Sequence, residues 1–238
     1  MQTLKIKRRT IFFLMLCFTM LYLYHYNSAL HEFYMVPYEK TDISEIIRSE
    51  KISDEDLYIL FRQTGVAPDA AKELIENKKL YTLERLHDLY FQKPDIKKKY
   101  IAYPITMEER NSVQKTPLVN LKKGDILISF NTHTLNWRHG HCGILVDEEK
   151  GTLLEHMSVG KTSCKTYAQD WGEYPGFMVL RYREEEVSEK AAEYAEKNLL
   201  DIRYSFFAGM IKKINQTKLC LKVLIVRILC GRHIKPQA

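Results

Sequence analysis

Trp137-Arg138-His139-Gly140-His141-Cys142-Gly143-Ile144-Leu145-Val146-Asp147 is the stretch whose reading decides the fold. Its second half, Gly143–Asp147, is a short apolar run of branched side chains and predicts a β-strand. Glu148–Gly151 supplies a turn, and Thr152–His156 predicts a strand returning beside the first. Upstream, Gly124-Asp125-Ile126-Leu127-Ile128-Ser129-Phe130 reads as a turn followed by another strand. Downstream, Gly176–Arg181 predicts a fourth. Glu184–Leu200 then changes period and predicts a helix, with Val187, Ala191, Tyr194, Ala195 and Leu199 on one face. Strands followed by a helix give an α+β domain.

The same window holds the candidate chemistry. A histidine beside an apolar strand can face a cleft while the strand fixes its backbone, which suits a general base. His141 fills that position, and the tight turn brings Glu155 of the next strand alongside. A carboxylate bonded to one imidazole nitrogen fixes the tautomer and stabilises the imidazolium. The residue types also fit a strand-end histidine and a surface acid with no chemical role. His139 and His141 could instead ligate a metal, but no third ligand is suggested. Cys142 adjoins His141 and on a strand points to the opposite face, while Cys164 sits in a polar segment with nothing to activate it. The five cysteines show no CxxC pair and no regular spacing, so neither a zinc knuckle nor a disulfide framework is indicated.

Working outward, residues 41–100 read as helical. Asp42 or Ser44 could cap one start, and Ser53-Asp54-Glu55-Asp56 opens a helix carrying Leu57, Leu60 and Phe61. Gly65 stops it. Pro68-Asp69 starts a second through Ala71, Leu74 and Ile75, and Leu83, Leu86, Leu89 and Tyr90 mark a third. Residues 1–29 read as a signal anchor or a signal peptide. Lys5, Lys7, Arg8 and Arg9 precede Ile11–Tyr24, which is uncharged and apolar or aromatic except for Thr19. Residues 11–26 could just cross a bilayer, with Tyr22, Tyr24 and Tyr26 at the interface. Asn27-Ser28-Ala29 is a weak cleavage match, so an uncleaved anchor is the preferred reading. The basic N-terminus then stays in the cytoplasm and the bulk of the chain lies outside, or is secreted if the segment is cleaved.

Composition restricts the function. The 238 residues are 45% apolar and 28% charged, the make-up of an ordinary globular protein. The net charge is +6, with four cations before residue 10 and eight after Asp201, where no acid follows. The stretch between therefore carries −6, which argues against a nucleic-acid surface.

Taken in order, Gly124-Asp125-Ile126-Leu127, the Trp137–His141 window with its apolar strand, Leu154-Glu155, the Trp171 segment leading into Val179-Leu180-Arg181, and Tyr204 after the helix resemble a known group. They are similar to the permuted papain-like cysteine amidases of the YiiX type, within the NlpC-like cell-wall peptidase superfamily. The resemblance implies a circularly permuted papain-like domain over 115–210, an antiparallel sheet with packed helices. It implies His141 as base, Glu155 as its orienter, and a nucleophilic cysteine after Tyr204 at a helix start. His139 and Trp137 would then line the substrate site. The implied activity is thiol-dependent hydrolysis of cell-wall peptide or another amide, with no cofactor. Lipid acyl hydrolysis or transfer is a related activity, and a non-enzymatic, membrane-tethered binding module is the alternative.

The sequence departs from that pattern where the nucleophile belongs. Cys220 stands at a workable distance, but Leu221-Lys222-Val223-Leu224 follows it, in place of the small residue and Trp of the pattern. Residues 211–238 form an atypical basic tail. Back-translating Leu224–Ala238 and reading from the third base of the Leu224 codon permits DCAHFVWKAYKATG, a segment of the implied Cys-small-x-apolar-Val-Trp kind. The tail is therefore read as the product of a frameshift, with a genuinely diverged basic tail, or an amphipathic helix touching anionic lipid, as the alternative. As written the chain lacks the nucleophile of the pattern, which would leave this copy inactive, and Cys220 is the fallback for that role.

Overall fold

The computed structural model describes residues 8–29, 36–102, 105–111, 115–134, 137–157 and 161–203. Cys220, Tyr204 and the basic tail lie outside the described residues. The chain is α+β: helices precede a curled antiparallel sheet, and one further helix follows it.

α1 runs over Arg8–Ala29 and touches the sheet. Phe12, Phe13, Met15 and Phe18 along it are exposed. No helix among the described residues is long and apolar enough to cross a membrane. α2 (Ser44–Ile47), α3 (Asp54–Thr64), α4 (Pro68–Glu76) and α5 (Leu80–Phe91) follow. The start and end of α3 are set by local chemistry. Ser53 Oγ accepts the Asp56 N–H at 3.1 Å and Asp56 Oδ2 accepts the Ser53 N–H at 2.9 Å, a reciprocal cap. Gly65 closes the helix at φ +71°, a left-handed position that favours glycine. Ile43, Ile47, Leu57, Leu60, Ala71, Leu74, Leu83 and Leu86 form the helical core. Phe61, which the spacing placed on that stripe, is exposed.

The helical region ends before residue 100. β1 (Ile96–Ala102) and β2 (Ile105–Arg110) are strands, correcting the helical assignment of 41–100. Lys97-Lys98-Lys99 hides the alternation from the sequence. Lys97 and Lys99 lie within ion-pair reach of the buried Glu109, so the strand carries cross-strand charge pairs where an apolar period would have announced it.

β3 (Ile126–Thr134), β4 (Trp137–Asp147), β5 (Thr152–Glu155), β6 (Cys164–Tyr167) and β7 (Phe177–Leu180) complete a seven-stranded sheet. The order is β1-β2-β3-β4-β5-β6. One edge of β3 is shared, with β2 along its second half and β7 along its first. A bulge between Ser129 and Thr132 lies between the two halves. Of the strands expected from sequence, the one at 143–147 is longer than its apolar run and begins at Trp137. β6 was not foreseen.

The two faces of the sheet are covered differently. Leu127, Leu145 and Leu153 pack on one side against Trp171 and Tyr174, and a 3₁₀ helix over Ala168–Glu173 supplies the indole. Ile144, Val146 and Leu154 pack on the other side against α6 (Glu185–Asn198). The buried stripe of α6 is Ser188, Ala192 and Ala195, and Val187 is exposed. Small side chains, not the larger apolar ones, thus let the helix approach the sheet. Gly124 has φ +92°, and a Cβ on it would sit 2.3 Å from the Ser188 carbonyl oxygen. Asp125 next to it is buried and holds β7 to β3 through Arg181. The guanidinium donates to Asp125 Oδ1 at 2.9 Å and to Oδ2 at 2.7 Å. Gly124-Asp125 is therefore an architectural pair.

Candidate functional site

Strand register brings His141 and Glu155 together. Gly143 faces Glu155 directly across β4 and β5, and His141 lies two residues along on the same face. With no side chain at 143, the carboxylate turns across the gap. A Cβ there would lie 3.4 Å from Glu155 Cβ and 3.6 Å from Oε2. His141 Nε2 donates to Glu155 Oε2 at 2.8 Å, and each residue is 6% exposed. An ionised carboxylate can only accept, so the neutral imidazole carries its proton on Nε2 and presents Nδ1 as the basic nitrogen.

Trp171 closes the arrangement. Its indole Nε1–H donates to the same Oε2 at 3.2 Å. Its ring lies against the imidazole, with centroids 5.3 Å apart and planes at 27°. Burial works to raise the Glu155 carboxyl, but the His141 hydrogen bond and charge, with Thr166 and Trp171, override it and hold the group below the usual carboxylate range. Burial also drives the Tyr174 phenol upward, and the Glu155 charge adds to it.

The described cysteines are not partners of this pair. Cys142 is turned to the opposite face, as strand alternation predicts, and burial with the Glu155 charge pushes its thiol up to about 11. Cys164 faces Glu155 across β5 and β6 and is exposed. Burial, and then the Glu155 charge, raise its thiol too. Proximity to a carboxylate suppresses a thiolate, the reverse of what a nucleophile needs. Cys220 falls outside the described residues.

His139 sits near the bulge on the same face as His141. Thr132 Oγ1 gives its proton to the His139 carbonyl at 3.0 Å, so the ring's Nδ1–H donates to that hydroxyl at 3.1 Å. Nε2 then accepts from Thr134 Oγ1 at 2.7 Å. Lost hydration depresses the imidazole, the Gly140 carbonyl opposing it and His133 and His141 adding to it. Both ring nitrogens are engaged. Among the described residues no group of three or more His, Cys, Asp or Glu side chains could hold a metal. Trp137 begins β4 opposite Thr134, and its side chain lies outside the described part of the chain.

Two features escaped the sequence. Trp171 contacts both members of the pair from a 3₁₀ helix that carries no period to read. A second histidine–carboxylate pair lies on the α6 face, where His133 Nε2 is 3.1 Å from Glu108 Oε1 and Arg138 is 3.1 Å from Oε2. It joins β2, β3 and β4, and nothing in the spacing of 108, 133 and 138 announces it.

Comparison of the chain with protein-family models, with curated proteins and with solved structures gives no match.

Proposed function

We propose that this protein is a papain-like, thiol-dependent amide hydrolase whose general base is Nδ1 of His141, oriented by Glu155. The observation that carries the reading is the buried Nε2–H to Oε2 bond at 2.8 Å between adjacent strands, which leaves the other ring nitrogen as the base. In the reaction, Nδ1 takes the proton of a cysteine thiol and the thiolate attacks the amide carbonyl carbon. The S–C bond forms, the C–N bond breaks, and the imidazolium returns its proton to the departing amine. Water, deprotonated by the same nitrogen, then releases the acid and restores the thiol. Glu155 stabilises the imidazolium between those transfers.

The substrate class on this reading is cell-wall peptide or a related amide, met near His139 and Trp137. The location is the cell membrane through residues 11–26, with the rest of the chain outside. The exposed Phe12, Phe13, Met15 and Phe18 support a lipid-facing helix, and Arg8 and Arg9 at its start suit the cytoplasmic side. Cys220 is the thiol assigned to this copy.

A second reading has its own support. Neither Cys142 nor Cys164 is disposed as a partner of His141, so the same fold could serve as a tethered binding module. Alkylation of the full chain with iodoacetamide at about pH 6, mapped by mass spectrometry, separates the two, because only an activated thiolate reacts well there. A cysteine that labels quickly in the native chain and slowly in His141→Ala supports the hydrolase. If no cysteine shows that dependence, the hydrolase reading fails and the binding module stands.

A further inference from the structure

Trp171 is one of the largest fully buried side chains, which by itself describes a core residue. Its surroundings show more. The 3₁₀ helix that carries it is fastened on both sides. The Ala168 N–H donates to the Gly151 carbonyl at 2.8 Å, and the Thr116 N–H donates to the Gly172 carbonyl at 2.8 Å. Gly172 cannot take a side chain there, because a Cβ would lie 2.5 Å from the Thr116 carbonyl oxygen. Tyr174 backs the indole with a ring centroid 5.0 Å away. The indole is thus among the most firmly located groups near the pair.

We infer that Trp171 is a positioning residue for the His141–Glu155 pair, its indole N–H fixing the carboxylate oxygen while its ring fixes the plane of the imidazole. The inference rests on the proposed role of His141 as base. Both donors converge on one oxygen, at 2.8 Å from His141 and 3.2 Å from Trp171, so Oε2 cannot swing from the imidazole without also breaking the indole bond. The stacked geometry restricts imidazole rotation, because turning the ring would lift it from the indole face. An aromatic face also favours a cation beside it, which suits a base that carries a proton mid-reaction. A core tryptophan needs neither the shared oxygen nor the parallel ring.

The test uses the full chain labelled with nitrogen-15, and Trp171→Phe, which keeps an aromatic ring but removes the N–H together with the five-membered part of the indole. The readout is the His141 Nε2–H resonance and its exchange with solvent, with circular dichroism to verify folding. The expected result is a shifted resonance and exchange faster by about 10-fold, as one of two anchors of the carboxylate is lost. Trp171→Leu removes the ring as well and is expected to accelerate exchange further. Should Trp171→Leu fail to fold, Trp171→Phe decides alone. An unchanged resonance and exchange rate in folded Trp171→Phe overturns the inference. His141-dependent cysteine alkylation is measured in parallel. Where it is present, a fall of about 10-fold in Trp171→Phe supports positioning, since small displacements of a base cost that much or more. Where it is absent in the native chain too, the hydrolase reading fails while the resonance still reports on Trp171.

Discussion

Gly143 and Glu155 are direct cross-strand partners, and the side chain missing at 143 is the space through which the Glu155 carboxylate reaches His141. A single added methyl fits, since its contacts at 3.4 and 3.6 Å are ordinary van der Waals distances. Gly143→Ala is therefore expected to change stability by less than about 1 kcal/mol, the strand entropy gain offsetting the tighter contact. Gly143→Val adds two branches against the carboxylate and is expected to cost about 1–3 kcal/mol, as overpacked sites do. Urea titration of both variants checks the order, and nuclear resonance checks that the His141 Nε2–H signal survives only in the first.

Glu155 is expected to contribute to the acid sensitivity of the fold. Its folded-state carboxyl is held below its ordinary value, mainly by the His141 bond acting against burial. The stabilisation it brings is complete above its unfolded value, about 4.3, and is lost as pH falls through the lower folded value. Glu155→Gln keeps the shape but cannot titrate, so its melting temperature is expected to change less between about pH 5 and pH 2 than that of the native chain. Above about pH 6 the variant is expected to be less stable by about 1–3 kcal/mol, because a neutral acceptor replaces a charged one. Parallel melting curves of Glu155→Gln and the native chain over both pH ranges settle it. Equal acid slopes would show that other carboxylates govern acid unfolding.

Much of this was legible in the sequence, for identifiable reasons. The helix starts at Ser53 and Pro68 and the stop at Gly65 are local chemistry, and the strands at 126–130, 143–147 and 152–155 carry apolar runs of the right length. His141 and Glu155 could be paired because a four-residue turn fixes which positions of β4 and β5 meet. What was hidden depends on long-range partners. β1 and β2 pair with Lys97 and Lys99 beside Glu109, charges that look like a solvated surface until the strands are paired. Trp171 reaches the pair through a 3₁₀ turn, and His133 meets Glu108 only after β3 has paired with β2. Sequence spacing also overvalued Val187 on α6, since a helix packed closely on a sheet buries its small residues.

Cys142 and Cys164 should behave differently despite their nearness to Glu155. Burial and the carboxylate push the Cys142 thiol up to about 11, so at neutral pH it is almost wholly protonated and only partly accessible. Cys164 is exposed, though its thiol is raised as well. Iodoacetamide at about pH 8 is expected to modify Cys164 several-fold faster than Cys142, accessibility deciding between two poorly ionised thiols. Replacing Cys142 with Ala is expected to leave any His141-dependent alkylation elsewhere unchanged. Labelling of Cys142 itself that slows in His141→Ala would mean that its thiol reaches His141, contrary to the strand alternation.

Asp125 and Arg181 give the architecture a test independent of the chemistry. Asp125 is 1% exposed, accepts the Lys122 N–H at 2.8 Å, and receives two bonds from a guanidinium that stays partly in solvent. Removing the cation strands a buried carboxylate, whereas removing the acid frees a group that can still be hydrated. Arg181→Met is thus expected to be the more damaging single change, at about 3 kcal/mol, with Asp125→Ala nearer 2 kcal/mol. In the double variant neither charge is left buried alone, so its cost is expected to fall short of the summed singles by about 1–3 kcal/mol. Denaturant titration of the four proteins closes this cycle. A strictly additive cycle would mean that the bidentate geometry does little to join β7 to β3, and that the backbone ladder between the two strands carries that junction instead.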